Sequence, residues 1–353
     1  MPKSDVERAA EYWSKQGTWI PGRGLFWAEL PAVQQRLNCK ASGKADVGWV
    51  QYTLERHFAG RLPLGRCLVL GCGEGGLERA LAKRNAFAEC DALDIAQGSI
   101  AKATELARQA GYEHINYTLC DVNAVALPAR YYDAVWAAAA VHHFERLEHV
   151  FDEVATSLKP GGLFILHEYV GPNRFQFPAR QRQVIEACFG LLPSDYRRLI
   201  REKTGSNFPP PERSMHQMAM RILAKLRDGD LLNAVWRRVR QWRAASSGVP
   251  TKVSVNLPTP STVRVGDPSE AVRSADIMPL LQQHFDIAEF KPLGGTILQF
   301  LLADIAGNFE GEMGQRWLDT LFIIEDLLLD SGDLASDFAY IVAAPKGSDR
   351  VAV

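Results

Sequence analysis

"LVLGCGEGGLERAL", residues 68–81, holds the part of this sequence on which the fold turns. Three apolar residues run into a glycine cluster, and an amphipathic stretch follows, the strand–turn–helix order on which nucleotide sites are built. Gly71, Gly73 and Gly76 fit the spacing G-x-G-x-x-G, while Gly71, Gly73 and Gly75 fit G-x-G-x-G equally well. Both spacings place bare backbone beside a ligand. The loop alone does not choose between them.

Downstream the pattern alternates. A strand over 67–70 is followed by a helix from 77 to 83, then "ECDALDI" as a strand ending in Asp94 and a helix over 99–110. "INYTLCDV" is a third strand ending near Asp121, "YDAVWAAAAV" a fourth, 147–158 a helix and "GGLFILHEY" a fifth strand. Strict β/α alternation of this kind predicts a parallel, doubly wound sheet. After Tyr169 the rhythm breaks into predicted helices interrupted by "NFPPPERS" and "SSGVPTKVSVNLPTPST". It resumes with a helix over 275–284, the strand "FDIAEFKPL", helices over 296–306 and "RWLDTLFIIEDLLLDSG", and a last strand "DFAYIVAAP". The first sixty residues read as helical, with Asp5 capping "DVERAAEYW" and Trp13, Trp19, Trp27 and Trp49 spread through them. The expected organisation is an N-terminal helical cap over 1–60, a sheet core over 61–172, a mainly helical insertion over 173–274 acting as a lid, and the rest of the core over 275–353.

Composition bounds the function classes. The 353 residues are 47% hydrophobic and 23% charged with a net charge of -1, so no global field draws the chain to nucleic acid. No apolar run reaches the ~18 residues of a membrane span and no leader-like start is present, which sets a cytoplasmic expectation without stable membrane insertion. Six cysteines lie scattered without a C-x-x-C pair, so neither a zinc site nor a disulfide framework is expected. Charge is locally uneven: residues 180–243 hold 14 Lys or Arg against 6 Asp or Glu, and residues 300–337 hold 1 against 9. The opposed segments are read as solvated or mutually packed faces, as a homodimer contact, or as a functional use of the basic segment.

Residues beyond the loop address the nucleotide. Asp94 follows the glycines by about 20 residues, where a carboxylate accepts from ribose hydroxyls. Asp121 is placed to accept from an adenine amino group beside Val122. Small residues after the fourth strand lead to His142 and His143, and "LKPGGLFIL" turns into the fifth strand. In this order and spacing the series resembles the class I S-adenosylmethionine-dependent methyltransferases, over about 67–169 and the final strands. The resemblance implies an α/β, Rossmann-like, doubly wound seven-stranded mixed sheet whose last two strands are antiparallel. It implies S-adenosyl-L-methionine as cofactor and S-adenosyl-L-homocysteine as product. Gly71, Cys72, Gly73, Gly75, Asp94, Ile95, Asp121, Val122 and Ala137 are then the cofactor-binding residues. One departure stands out: the family often has an acidic residue two positions before the first glycine, where this chain has Val69.

Ligands of open α/β sheets sit beyond the carboxyl ends of the strands, which makes Tyr169, Asn173 and Arg174 acceptor-binding candidates, with His167 nearby. Arg273, in "DPSEAVRSADI", is the candidate for an anionic acceptor; Ser269 or Ser274 reads as a helix cap. Glu168 is expected to be the general base, with His142 and His143 as alternatives, because a hydroxyl nucleophile needs its proton removed. The expected acceptor is a small molecule or glycan, methylated on a hydroxyl oxygen. The runner-up is carbon or nitrogen methylation of an anionic precursor such as a prenyl diphosphate; a nucleic-acid methyltransferase or binding module stands behind both, and behind that a nicotinamide oxidoreductase, the dinucleotide reading of Gly71, Gly73 and Gly76.

Overall fold

The computed structural model of this chain describes residues 4–15, 26–199, 215–245 and 250–347; Trp19, the break at 207–214 and the start of the second break lie outside them. Three helices, α1 (Asp5–Lys15), α2 (Pro31–Ser42) and α3 (Trp49–His57), precede β1 (Leu64–Leu70). The alternating part follows as α4 (Gly76–Ala82), β2 (Phe87–Asp94), α5 (Gln97–Gln109), β3 (Ile115–Leu119), β4 (Tyr132–Ala138), α6 (Leu147–Ser157) and β5 (Leu158–Tyr169). Then come α7 (Ala179–Leu191), α8 (Met215–Arg227), α9 (Leu231–Ala245), α10 (Pro260–Gly266), α11 (Ile277–His284), β6 (Phe285–Gly294), α12 (Leu298–Leu302), α13 (Glu312–Asp330) and β7 (Phe338–Pro345).

The seven strands form one sheet in the order β3-β2-β1-β4-β5-β7-β6. The β1–β5 set is parallel, and β7 runs antiparallel to both β5 and β6. Side chains of a strand alternate between the two faces of the sheet. Leu68, Leu70, Val135, Ala137, Phe164, Leu166, Ile341 and Ala343 therefore enter a core roofed by residues of α6 and α11. Their neighbours Cys67, Val69, Ala134, Trp136, Ile165, Tyr340 and Val342 enter the core on the other face, with Leu54, Leu81 and Ala107. Both faces are covered, which is why the strands read as nearly continuous apolar runs. Val69 belongs to this buried set, so an acidic side chain there would be buried among apolar groups.

A third core joins α7, α12 and α13 to Trp27 and Val33 of the N-terminal segment. Here the expected helix over 296–306 is cut down to α12. Glu325 of α13 accepts from the N–H groups of Gly295, Ile297 and Leu298 and so caps its start. The Lys252 ammonium donates to the carbonyls of Phe300, Leu301 and Ala303 and stops its end. The helix expected from 275 begins at Ile277, after a 3-10 turn, and the third strand ends at Leu119. One pair joins the oppositely charged segments, Arg180 with Asp333 at 2.6 Å; elsewhere the acidic segment is held by α2, whose Arg36 and Lys40 reach Asp326 at 2.7 and 2.6 Å. Among the described residues no helix is long and apolar enough to cross a membrane.

Candidate functional site

The glycine loop leaves the carboxyl end of β1 with three residues at positive φ: Gly71 at 65°, Gly73 at 53° and Gly75 at 76°. Here glycine is required twice over. A Cβ on Gly71 would stand 2.5 Å from the Ala140 Cβ, and one on Gly75 would stand 2.4 Å from the Tyr117 hydroxyl. Asp94, at the end of β2, organises this loop. Its Oδ2 accepts from Gly73 N at 2.8 Å and its Oδ1 from Ala96 N at 2.8 Å. Burial raises its pKa against those donors. A carboxylate offers about four acceptor positions, so Asp94 keeps acceptor capacity beyond these bonds. Asp121 takes both the N and Nδ2 of Asn123 on Oδ1, forming the turn after β3 with Val122 buried beside it. The Cys72 thiol is buried, and burial pushes it well above its ordinary pKa. Ile95 is half-buried behind Asp94, and Ala137 lies fully buried in register between Leu70 and Leu166. The bare loop and the Asp94 carboxylate beside it are compatible with the cofactor that the sequence pattern implies.

Glu168 is placed differently from the base it was expected to be. It is fully buried; Oε2 accepts from Ala140 N at 2.9 Å and Val141 N at 2.7 Å, and Oε1 accepts from Tyr169 N at 2.8 Å and meets His142 Nδ1 in a short contact. Three of its contacts hold the 140–143 turn and the fourth goes to the Tyr169 amide, so the carboxylate is saturated. Burial alone would raise its pKa, but the His142 charge and the N–H donors hold it below the usual carboxylate range. Its partner His142 also resists charging through burial, yet Glu168, then Glu270 and Asp267, carry it up to about 9. Both shifts favour the ionised form of the pair.

His143 has the opposite character. Burial and the adjacent His142 charge lower its pKa. Its Nδ1 lies 3.0 Å from Ser269 Oγ, and the Ser269 hydroxyl donates to Asp267 Oδ1 at 2.7 Å. With the serine proton committed to Asp267, the serine oxygen accepts from His143 Nδ1–H, which leaves the Nε2 lone pair open. Asp267 is anchored in turn by Trp13 Nε1 at 2.8 Å and Ser269 N at 2.8 Å. The Trp13 ring stands edge-on to His143 at 5.3 Å, and Trp13 O accepts from Ser99 of α5. The aromatic N-terminal segment therefore closes over the histidines.

Other expected acceptor residues are occupied. Arg273 makes a two-pronged bridge to Glu148 at 2.7 and 2.8 Å and a third contact to Asp276 at 2.8 Å, so its guanidinium is structural. Asn173 Oδ1 caps Ala275 N at 2.8 Å, and Tyr169 donates its hydroxyl to Pro172 O at 3.1 Å. His167 stacks on Trp49 at 5.2 Å. Arg174 is half-buried and reaches the carbonyl of Glu270 at 2.9 Å, next to the histidines. Reasoning from sequence gave Asp267 and Ser269 only turn and capping roles and gave Glu270 none; the signal was the Asp-x-Ser turn of "DPSE". It also missed that ligating atoms of His142, His143 and Glu270 fall within 4.8 Å of one another, an arrangement that reaches a metal ion.

Comparison with known proteins matches residues 68–166 to a family described as a methyltransferase domain. Over 142 residues the chain is 32% identical to the malonyl-[acyl-carrier protein] O-methyltransferase of Enterobacter lignolyticus, covering 38% of this chain and 54% of that protein. It is 28% identical over 148 residues to the sterol 24-C-methyltransferase of Yarrowia lipolytica, covering 40% and 38%. The chain thus spans about half or less of the length of these relatives. Among solved structures, the geranyl diphosphate C-methyltransferase of Streptomyces coelicolor aligns over 97% of this chain and 98% of its own, with 12% identity and a TM-score of 0.46.

Proposed function

We propose, with residues 68–166 as a class I S-adenosylmethionine-dependent methyltransferase domain for premise, that this protein transfers a methyl group to a hydroxyl oxygen of a small-molecule or glycan acceptor. The observation that carries the oxygen chemistry is the Asp267–Ser269–His143 relay one turn from the glycine loop. When bound, the cofactor supplies a sulfonium-activated methyl group. Gly71, Gly73 and Gly75 leave backbone bare for it, Asp94 takes its ribose, and Asp121 with Val122 takes the adenine side. The remaining work falls to the acceptor side: hold a hydroxyl in line, exclude water, and receive its proton. His143 Nε2 is the proton acceptor in this reading. Ser269 and Asp267 fix its tautomer, and Glu168 with His142 positions the turn that carries it. Arg174 faces the same corner and orients the acceptor. Methylation of an anionic precursor loses support because Arg273 is bound to Glu148 and Asp276.

The proximity of His142, His143 and Glu270 favours one other reading, in which a divalent ion polarises the hydroxyl in place of a base. Metal analysis and chelation separate the two: the proton-relay reading expects full turnover after chelation.

Calorimetry with S-adenosylmethionine, S-adenosylhomocysteine and NAD tests the assignment. Asp94→Ala removes a ribose acceptor and the grip on the Gly73 and Ala96 amides, a loss of about 1.5–3 kcal/mol or roughly tenfold in affinity at least. Unchanged affinity in that variant, or NAD binding in its place, overturns the cofactor site. Intact-mass screening of acceptor pools then identifies what gains a methyl group.

A further inference from the structure

We propose that the outer faces of α8 and α9 dock this protein on an anionic phospholipid surface, and that the acceptor met by His143 is an amphiphile taken from that surface. The second half rests on the methyl-transfer reading above; the first stands without it.

Single exposed apolar residues are ordinary on a protein surface, but contiguous ones mark an interaction site. On α8, Ile222, Leu223 and Leu226 are 49%, 57% and 54% exposed at the i, i+1, i+4 spacing that gathers on one helix face. On α9, Leu232, Val235 and Trp236 are 73%, 51% and 62% exposed at i, i+3, i+4. Two successive helices thus turn an apolar stripe to solvent. Neither contains an Asp or Glu, and together they carry seven Lys or Arg, of which Arg237 is paired with Asp230 at 2.7 Å. Apolar faces flanked by cations, with a tryptophan among them, are what an interfacial helix presents to anionic headgroups.

The stripe is joined to the site. The inner side of α8, with Ala224 buried, packs on α10, and Asp228 at its end accepts from Ser261 N at 3.1 Å and Ser261 Oγ at 2.7 Å. The chain then passes from α10 directly into Asp267 and Ser269. An acceptor lying in the headgroup layer is therefore delivered to the side of the fold that carries the relay. The competing occupant is α13 of a second copy, whose Met313, Ile323 and Leu327 are exposed in an acidic helix. Its acids are partly spent already: Asp326 on Arg36 and Lys40, and Glu312 on Arg316.

Co-sedimentation with vesicles of phosphatidylcholine, alone or mixed with phosphatidylglycerol, tests the surface. Wild type is expected on the anionic vesicles at low salt and not on the neutral ones. The pairs Leu223→Glu with Trp236→Glu, and Lys225→Glu with Arg240→Glu, are expected to weaken binding about tenfold or more, with melting temperature and S-adenosylmethionine affinity unchanged. Absence of binding to anionic vesicles, or undiminished binding by both folded variants, overturns the docking. So does a dimer in sedimentation velocity that the Leu223→Glu and Trp236→Glu changes dissociate, which assigns the face to a second copy. Wild type that binds vesicles but not S-adenosylmethionine defeats the methyl-transfer reading alone. With labelled cofactor and a whole lipid extract, label in the vesicle fraction supports an amphiphilic acceptor; label confined to water-soluble products overturns it.

Discussion

His142 and His143 are neighbours in the chain, yet their surroundings move their protons in opposite directions. Glu168, Glu270 and Asp267 raise the first to about 9, while burial and the charge of the first lower the second. Activity on the relay reading needs His143 neutral and the His142–Glu168 pair charged. The rate is expected to rise with pH through a value below the usual histidine range and to fall near about 9. A kcat/KM profile without an acid limb removes His143 from the proton path. His143→Asn should lower turnover by roughly 10²–10⁴ with cofactor affinity intact. Glu168→Gln acts differently, because it breaks a buried pair; the cost in stability is about 3–5 kcal/mol. The sign of the linkage is definite: His142 has a raised folded-state pKa, so its contribution is complete below 6.5 and is lost as pH rises to about 9. Thermal melts of Glu168→Gln should lack that alkaline decline. Retention of the wild-type slope would show that the pair is not ionised.

At the scale of elements, the β1 loop and the turn after β4 are built against each other. Gly71 at φ 65° leaves no room above the Ala140 Cβ, and Ala140 N is itself held by Glu168. Gly71→Ala should therefore displace both loops, with stability lower by about 1–3 kcal/mol and cofactor affinity reduced. Gly43→Ala is the matched control: its φ is 82° with nothing within 4 Å, so it carries backbone strain alone. Equal effects in melts and calorimetry would mean that the contact with Ala140 is unimportant. These elements were legible in sequence because strand, turn and helix are local patterns, and Asp94 was legible because its distance from the glycines follows from one β-α-β unit. Glu168 was legible as a residue at a strand end but not as a saturated one, since three of its four partners are main-chain amides, which carry no sequence signature. The relay was out of reach for a plainer reason: Ser269 lies 126 positions from His143. The extent of α12 was misjudged likewise, because Glu325 caps its start and Lys252 its end from distant segments.

Across the whole molecule, the N-terminal segment acts as a tie between regions that the sequence keeps apart. Trp13 reaches Asp267, and Arg36 of α2 reaches Glu325 of α13 at 2.8 Å. Glu325 is fully buried, and besides Arg36 it serves the amides of Gly295, Ile297 and Leu298, so one carboxylate links α2, α13, the end of β6 and the start of α12. Arg36→Met keeps the length of the side chain and removes its charge, which leaves Glu325 uncompensated in the third core; a loss of about 3–5 kcal/mol is expected from that. Adding Glu325→Gln removes the stranded charge while keeping an acceptor for the amides, so the double variant should be more stable than Arg36→Met alone. The glycine loop lies on β1, separated from β6 by β4, β5 and β7. Affinity for S-adenosylmethionine, measured well below the melting temperature, should accordingly stay at the wild-type value in both variants. Additive losses in the double variant would show that Arg36 and Glu325 are not coupled, and a parallel loss of cofactor affinity would show that the third core and the cofactor site do not behave as separate units.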